Sequence, residues 1–331
     1  MADYINIRGQ NIEVVSSDPA NPTIGQIWYN STSNTLKGGS VTTVGTWATG
    51  GSLNTARSQG AGAGTTSAAL YFGGSPDNVG TVGTTESYNG TSWTTVSPLS
   101  AGDRLLMGSG SQTSALRIGG LLPPPNGGTN AVESWNGTSW TGGTNYPSPI
   151  HQGAATGNSN TAIMVIGGEI PARTNNVFSY NGTSWTALNS VSGTAVSNQA
   201  ACGTLTGALS IAGNYTTPPG PTSATQSYDG TSWTTVAPVN TARANLGAGG
   251  TQTLAVAYGG TIPPSTGVTE LWDGTSWTNN PNNMGTAVTN FGYDGSQASA
   301  LAIGGSGPPV LATTQEFTGP GVPQTKTITA S

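Results

Sequence analysis

Charged residues are scarce in this chain of 331 residues. Only 6% are Asp, Glu, Lys or Arg, against about a quarter in ordinary domains. Eight basic residues and a net charge of −5 cannot form the phosphate-neutralising stripe of a nucleic-acid-binding protein. Histidine occurs once, at His151, and cysteine once, at Cys202. We therefore expect no His-based metal site, no His-dependent triad, no intrachain disulfide framework and no cofactor.

Long apolar runs are also missing. No stretch of 18 apolar residues occurs, so no membrane insertion is expected. The first residues lack the basic and apolar regions of a secretory signal, which predicts synthesis in a cytoplasm without export by the general pathway. The hydrophobic fraction is 34%, but 51 glycines bring the apolar-plus-glycine share close to the usual half. This composition predicts a core of closely approaching backbones and aromatic side chains.

What the chain does contain is an internal repeat. The sequence Gly-Thr-Ser-Trp occurs five times, with steps of 47, 45, 48 and 44 residues between its tryptophans. These tryptophans are Trp93, Trp140, Trp185, Trp233 and Trp277. An apolar run that ends in a doublet of small residues occurs six times, from Gly73-Gly74 to Gly304-Gly305. A period in this range indicates one supersecondary unit that is stacked or arranged radially.

Each repeat predicts a small antiparallel sheet. The Asn-Gly or Asp-Gly before each Thr-Ser-Trp favours a two-residue type I′ hairpin turn, which would make Tyr88 and Trp93 diagonal neighbours on one face. Such an aromatic pair needs a neighbouring sheet to bury it. We interpret the small-residue doublets as sites of close packing where inner strands converge on an axis; ordinary turn glycine is the alternative.

The sixth repeat has no tryptophan after Phe317. Trp47 lies 46 residues before Trp93, which fits the period, and it has no hairpin partner of its own. We expect the segment 41–49 to pair with Gln315–Thr318, so that Trp47 and Phe317 close a ring of six sheets without exposed edges.

These features resemble the kelch repeat, with its apolar Gly-Gly run, the aromatic residue of the third strand and the Trp of the fourth. Arg57, Arg104 and Arg243 match the arginine that many kelch repeats carry before their first strand. The resemblance implies an all-β, six-bladed kelch-like β-propeller with four-stranded blades over residues 41–319. The hairpins, such as Ser227–Trp233, are also similar to the sialidase Asp-box.

The two ends of the chain lie outside the repeat. Residues 1–40 predict a docking module of short strands: Ile24–Lys37 is typical of a hairpin, and alternating apolar residues upstream indicate a second strand pair. Residues 320–331 are expected to form a short polar tail, extended or disordered, to which we assign no role. The segment Pro22–Asn30 resembles N-terminal segments of tailed-bacteriophage tail-fibre and other virion proteins. That resemblance implies location in a virion, with docking onto other virion proteins through Ile27, Trp28 and Tyr29.

Arg57, Arg104, His151 and Arg243 are the candidate binding residues. We place them at equivalent positions near the start of the innermost strand, where they could form a cationic rim at one mouth of a central channel. Such a rim would suit glycans that carry carboxylate or phosphate groups. In the alternative, each arginine binds backbone carbonyls between blades.

Acidic residues at another equivalent position are expected to be structural. Glu86, Glu133 and Glu270, with Gln226 and Gln315, are predicted to form hydrogen bonds between blades. Glycoside hydrolysis needs two carboxyl groups in unlike environments, which repeat-equivalent acids do not provide.

We therefore predict a non-enzymatic bacteriophage structural protein, tail-fibre or tail-associated, with no catalytic residues. Its propeller would contact a host glycan or protein through variable, proline-rich loops, and it could form a homo-oligomer in the particle. Two alternatives stay open: a carbohydrate-active propeller enzyme of the sialidase or oxidase type, and a capsid decoration protein.

Overall fold

The computed structural model describes residues 12–20, 22–41, 44–123, 127–216, 219–307, 309–321 and 323–328. All elements in these ranges are β-strands, which confirms the predicted all-β class. Within them, no helix has the length and apolarity required to cross a membrane. The chain forms two compact units, one of Met1–Gly45 with Thr318–Ser331 and one of Thr46–Phe317.

The first unit contains one mixed sheet in the order β1-β2-β3-β33. Its strands are β1 (Glu13–Val15), β2 (Ile27–Asn30), β3 (Thr35–Val41) and β33 (Pro323–Thr327). Strands β2 and β3 form the expected antiparallel hairpin, with Tyr29 opposite Leu36. The expected second hairpin is wrong for the described residues, because β1 pairs with β2 in parallel. Ile5 and Ile7, which the prediction also used, lie outside the described residues.

Residues 323–327 of the predicted C-terminal tail are extended, and they belong to a sheet. Strand β33 pairs antiparallel with β3, with Gly39 opposite Thr325 and Lys37 opposite Thr327. Threonine favours strands, and β3 offers it an open edge. The first unit thus draws on both chain ends, which boundaries at 40 and 320 do not anticipate.

The second unit contains six four-stranded antiparallel sheets, numbered here in chain order. Sheet 1 consists of β5 (Ala61–Thr65), β6 (Ala68–Phe72), β7 (Thr85–Tyr88) and β8 (Trp93–Val96). Sheet 2 consists of β9 (Met107–Ser111), β10 (Ser114–Ile118), β11 (Val132–Trp135) and β12 (Trp140–Gly142). Sheet 3 consists of β13 (Ala154–Ser159), β14 (Ala162–Ile166), β17 (Val177–Tyr180) and β18 (Trp185–Leu188).

The remaining three sheets have the same strand order. Sheet 4 consists of β20 (Ala200–Thr204), β21 (Gly207–Ile211), β24 (Thr225–Tyr228) and β25 (Trp233–Val236). Sheet 5 consists of β26 (Gly247–Gly250), β27 (Ala255–Tyr258), β28 (Thr269–Trp272) and β29 (Trp277–Asn279). Sheet 6 consists of β30 (Gly292–Ser296), β31 (Ser299–Ile303), β32 (Thr314–Thr318) and β4 (Thr46–Thr49). Two smaller sheets consist of short strands. One contains β15 (Glu169–Ile170) and β16 (Ala172–Arg173). The other contains β19 (Val196–Ser197), β22 (Asn214–Thr216) and β23 (Pro219–Pro221).

The first strands of the six sheets contact one another in cyclic order, and β30 of sheet 6 contacts β5 of sheet 1. A cycle of backbone hydrogen bonds precedes these strands. Its members are Gln59, Leu105, Gln152, Asn198, Asn245 and Asn290. Each amide donates to the carbonyl of the preceding member over 2.7–3.4 Å, and the Gln59 amide donates to the Asn290 carbonyl. This arrangement is consistent with a β-propeller. We call these six residues the mouth ring.

The hydrophobic core lies between neighbouring sheets, as one buried cluster at each junction. At the junction of sheets 6 and 1, for example, Leu301 and Ile303 pack with Tyr88 and Trp93. Every sheet thus buries both of its own faces against its neighbours, which explains why the second strand of each sheet is apolar.

Sheet 6 combines both ends of the second unit, with β4 next to β32. The Trp47 ring centroid lies 5.1 Å from that of Phe317 and 5.0 Å from that of Tyr258 in sheet 5. Its Nε1 donates to Thr269 Oγ1 over 2.9 Å. The paired segment is shorter than predicted, because β4 begins at Thr46 and Val41 belongs to β3; residues 42–43 lie outside the described residues.

The Asn-Gly-Thr-Ser tips are four-residue loops, so the predicted two-residue turn is wrong. Tyr88 lies directly opposite Trp93, and their rings stack at 4.8 Å. The cause is the Asn89 side chain, whose Oδ1 accepts the amides of both Thr91 and Ser92 over 2.9 Å. This side-chain turn competes with the tighter backbone turn.

The small-residue doublets end the second strands, not the innermost ones. Both residues of every doublet have left-handed φ, for example 66° at Gly73 and 105° at Gly74. A different glycine recurs in all six first strands, with φ of 109–148°. This set comprises Gly64, Gly110, Gly157, Gly203, Gly250 and Gly295. A Cβ on any of them would lie 2.1–2.3 Å from a backbone oxygen of the same sheet, so a side chain is excluded.

Candidate functional site

The first strands of sheets 1 to 6 contact one another in cyclic order, and we call the space between them the channel. Tyr293 of β30 lines cavities on both sides of the channel's middle. The other five sheets have glycine or alanine at its position: Gly62, Gly108, Ala155, Ala201 and Ala248. Burial raises the pKa of the Tyr293 hydroxyl well above its usual range. The Tyr293 side chain is therefore neutral and lies between the mouth ring and the far end of the first strands.

A cavity of about 490 Å³ lies at the far end, where the first strands end; we call it the distal cavity. Its polar lining includes Thr65, Thr66, Ser67, Ser111, Asn158 and Asp294. Hydroxyl and amide groups thus dominate the polar lining, and Asp294 supplies the one carboxyl group found there among the described residues.

Asp294 is a half-buried residue in the wall of the channel. Its Oδ2 accepts the Gly64 amide of sheet 1 over 2.8 Å, and its Oδ1 accepts the Gly295 amide over 2.7 Å. Burial raises the pKa of this carboxyl to about 7, and the two amides only partly oppose that shift. Protonated and ionised forms therefore coexist near neutral pH.

The distal cavity lies beside a junction that lacks an amide clamp. In four sheets the first turn residue is a Gln or Asn that donates to the preceding sheet: Gln112, Asn160, Gln252 and Gln297. Sheet 1 has Thr66 at this position, and its side-chain hydroxyl forms a hydrogen bond with the Ser299 hydroxyl of sheet 6. Thr66 and Asp294 line the same cavity. Leu205 of sheet 4 is the other exception.

The predicted cationic rim is wrong for two of its four residues. The isolated bridges Ser58–Ser75, Arg104–Leu121 and His151–Glu169 are equivalent, so Arg57 lies one position earlier than Arg104 and His151. The repeat alignment misses this offset because the loop lengths vary.

Arg57 and Arg243 are fully buried. Arg57 forms an ion pair with Glu86 and donates to the Gly73 and Tyr71 carbonyls over 3.1 and 3.0 Å. Arg243 Nη1 lies 3.0 Å from Glu270 Oε1. These arginines bind carbonyls of their own sheets rather than carbonyls between blades.

Arg104 and His151 are partly exposed and lie beside the mouth ring. Arg104 Nη1 donates to Gln59 Oε1 over 3.0 Å. Burial lowers the pKa of His151, the Glu169 carboxylate opposes this shift, and the Arg104 charge adds to it. The imidazole is therefore mostly neutral at pH 7.

The equivalent Glu and Gln side chains accept hydrogen bonds from the connection that enters each sheet. Glu86 Oε2 accepts the Asn54 amide over 2.7 Å, and Glu133 Oε2 accepts the Ser100 amide over 3.0 Å. Sheet 3 has Phe178 at this position, packed against Tyr146. These residues position the connections between sheets.

The predicted docking residues differ in accessibility. Trp28 is fully buried, and its Nε1 donates to Asp18 Oδ1 over 2.9 Å, so it holds the first unit together and cannot contact a partner. Ile27 and Tyr29 are half-buried. Among the described residues of this unit, the exposed large apolar side chains are those of Ile12, Val14, Ile24 and Val44.

No protein-family model and no curated protein matches the chain. A solved structure of YjhT is similar, with a TM-score of 0.67 and 14% sequence identity over 80% of this chain and 95% of that one. At this identity the likeness shows the fold. Nothing in the comparisons supports the resemblance to phage tail-fibre leaders, so virion location and virion partners stay predictions.

The prediction that the protein is not an enzyme is corrected by the likeness to YjhT. Its reasoning on acids considered those at the repeat-equivalent Glu and Gln position, which share one environment. Asp294 lies outside that set, because the other sheets have Ala63, Ser109, Thr156, Cys202 and Gly249 at its position. When the six repeats are aligned, Asp294 is the one carboxylate at a position where the other repeats have small residues. This was the sequence signal that could have identified it as a candidate.

Proposed function

We propose that the protein is a carbohydrate-active propeller enzyme with the distal cavity as its active site. The supporting observation is the single carboxyl group of Asp294 in a cavity of about 490 Å³ lined with hydroxyl and amide groups. Ligand pockets commonly have volumes of about 300–1,000 Å³, a range that accommodates a mono- or disaccharide. The lining groups match the hydrogen-bonding pattern of sugar hydroxyls.

The chemistry assigned to Asp294 is proton transfer. A general acid or base works best when its pKa lies near the working pH, and burial places the pKa of this carboxyl at about 7. Glycoside hydrolysis with paired carboxylates would need a second acid, which the described lining of the distal cavity does not offer. We therefore assign a reaction that one group can serve, the interconversion of the two anomers of a reducing sugar. The Asp294 carboxylate takes the proton of the anomeric hydroxyl, and the ring oxygen takes a proton as its bond to the anomeric carbon breaks. The open chain then closes again on the other face, which returns both protons.

The architecture proposed for this enzyme is a closed, six-bladed propeller of the kelch type, with one blade per sheet. The cyclic contacts of the first strands and the mouth ring favour closure. Strand β4 supplies the fourth strand of the last blade.

The test is conversion of a panel of neutral and acidic mono- and disaccharides, followed through their anomeric proton NMR signals. We expect the wild-type protein to convert at least one sugar, with an apparent pKa near 7, and Asp294→Asn to be about 100-fold slower or worse. Asp273→Asn is the matched control, because the chain itself has Asn89 at the equivalent position. Equal rates for both variants, or no conversion of any sugar, would contradict the proposal.

A further inference from the structure

We propose that the opposite end of the channel binds a carboxylate-bearing small molecule between Arg104 and His151. The two residues directly precede Leu105 and Gln152, which are hydrogen-bonded neighbours in the mouth ring over 3.1 Å. They therefore lie side by side on sheets 2 and 3, at the edge of the channel.

Both side chains keep unused hydrogen-bonding capacity. Among the described residues, Arg104 Nε and His151 Nδ1 have no partner, although solvent barely reaches either atom. A buried donor without an acceptor is costly, and a guanidinium edge donates two parallel hydrogen bonds to a carboxylate. A carboxylate would satisfy Arg104 and offer the imidazole an acceptor.

In the described part of the chain, Glu169 and Arg173 are the other charged residues at this edge, and they pair with each other rather than with Arg104. Glu169 lies near His151, but Arg173 holds it, with 3.7 Å between Arg173 Nε and Glu169 Oε2. Arg173 is in turn engaged with Ser197 Oγ and the Tyr215 carbonyl. Arg104 is thus the cation available for an incoming anion.

The mouth ring adds space and polarity. A cavity of about 90 Å³ lies at its centre, lined by its six residues. Its side-chain amides can donate to the hydroxyl groups next to a carboxylate. Arg104 and His151 do not line this cavity themselves, and its volume is below that of an ordinary ligand pocket. A small hydroxy acid or sugar acid would therefore hold its carboxylate at Arg104 and His151 and place only a neighbouring group in the cavity. Binding there does not depend on turnover at Asp294.

The experiment uses the fact that His151 is the only histidine of the chain, so its imidazole gives one set of NMR signals. The signals are titrated with pH in the presence of glucuronate or of glucose, its uncharged counterpart. Bound glucuronate should raise the apparent pKa of His151, because an anion favours the protonated imidazole, and glucose should leave it unchanged.

Variants test the role of Arg104. Arg104→Gln should weaken glucuronate binding about tenfold or more, and Arg104→Lys should retain part of the affinity because it keeps the charge but loses the two-point contact. Lys37→Gln removes a cation from the other unit and should bind as the wild type does. Asp294→Asn should keep the His151 response even when it abolishes conversion of sugars.

Three results would overturn the proposal. They are a His151 titration that glucuronate does not alter, an equal response to glucose, and wild-type affinity in a folded Arg104→Gln variant.

Discussion

Five of the six sheets of the second unit have glutamate or glutamine at one equivalent position, and sheet 3 has Phe178 there. Sheets 1, 2 and 5 have glutamate there, and sheets 4 and 6 have glutamine. The task is the same, since Glu270 Oε2 accepts the Asn240 amide over 2.6 Å and Gln226 Oε1 accepts the Ser192 amide over 2.9 Å. Only the glutamates have a buried arginine beside them. Five of the six sheets thus use an acceptor at this position, sheet 3 does without one, and where the acceptor is a carboxylate the arginine compensates its charge.

We call sheets 1, 2 and 5 the glutamate sheets and sheets 4 and 6 the glutamine sheets. Removing the arginine from one glutamate sheet should have the largest effect on stability. Arg243→Met leaves Glu270 fully buried without its ion-pair partner. We expect the free energy of unfolding to fall by about 3–5 kcal/mol, as for other broken buried pairs. Urea unfolding at pH 7 measures this loss. A loss below about 1 kcal/mol would show that the arginine does not compensate the charge.

Adding a charge to a glutamine sheet should cost less. Gln226→Glu places a carboxylate where sheet 4 has Val196 in place of the arginine. We expect a loss of about 1–3 kcal/mol at pH 7. Burial favours the protonated form, so the folded-state pKa would exceed the unfolded value of about 4.3, and the loss should shrink as the pH falls towards 4. An equal loss at both pH values would assign the effect to packing.

Converting a glutamate sheet into a glutamine sheet should have a smaller effect still. The double variant Arg243→Met/Glu270→Gln reproduces the chemistry of sheets 4 and 6. Buried pairs can often be replaced without loss, so its stability should lie within about 1–2 kcal/mol of the wild type. A double variant as unstable as Arg243→Met alone would mean that the arginine stabilises through its carbonyl contacts, such as that of Nη2 with Ala257 over 3.2 Å.

The sequence predicts much of this architecture because each feature recurs. One apolar strand, one aromatic pair and one tip per repeat are enough to define the sheets, and the unpaired Trp47 indicates its contact with Phe317. Recurrence also identifies the Glu and Gln positions, since they lie at a constant offset from each tryptophan.

Features that occur once escape this kind of prediction. Asp294 differs from its equivalents, and its raised pKa depends on burial by other sheets, which no local pattern reports. The mouth position of Arg104 and His151 depends on a one-residue offset that variable loops conceal. The pairing of β33 with β3 joins chain ends about 290 residues apart, beyond the reach of local propensity.

The exposed hairpin tips also differ in one charged or neutral side chain, which is Asp in two tips and Asn in the others. Because the tips lie at the surface, we expect the smallest effect on stability there. Asp229 and Asp273 replace Asn89 and its equivalents, and hydrogen bonds from the Ser232 and Thr231 amides lower the pKa of Asp229 to about 2. A lowered folded-state pKa stabilises the fold above the unfolded value of 3.8, and this contribution is lost as the pH falls towards 2. Asp229→Asn should therefore keep the Tm at pH 7 and weaken its decline below about pH 4, whereas Asp229→Ala should lower the Tm at both pH values. Thermal unfolding at pH 7 and at low pH measures both effects. If Asn lowered the Tm at pH 7 as much as Ala, the charge would matter at the surface as it does in the core, and the tips would differ from the interior only in degree.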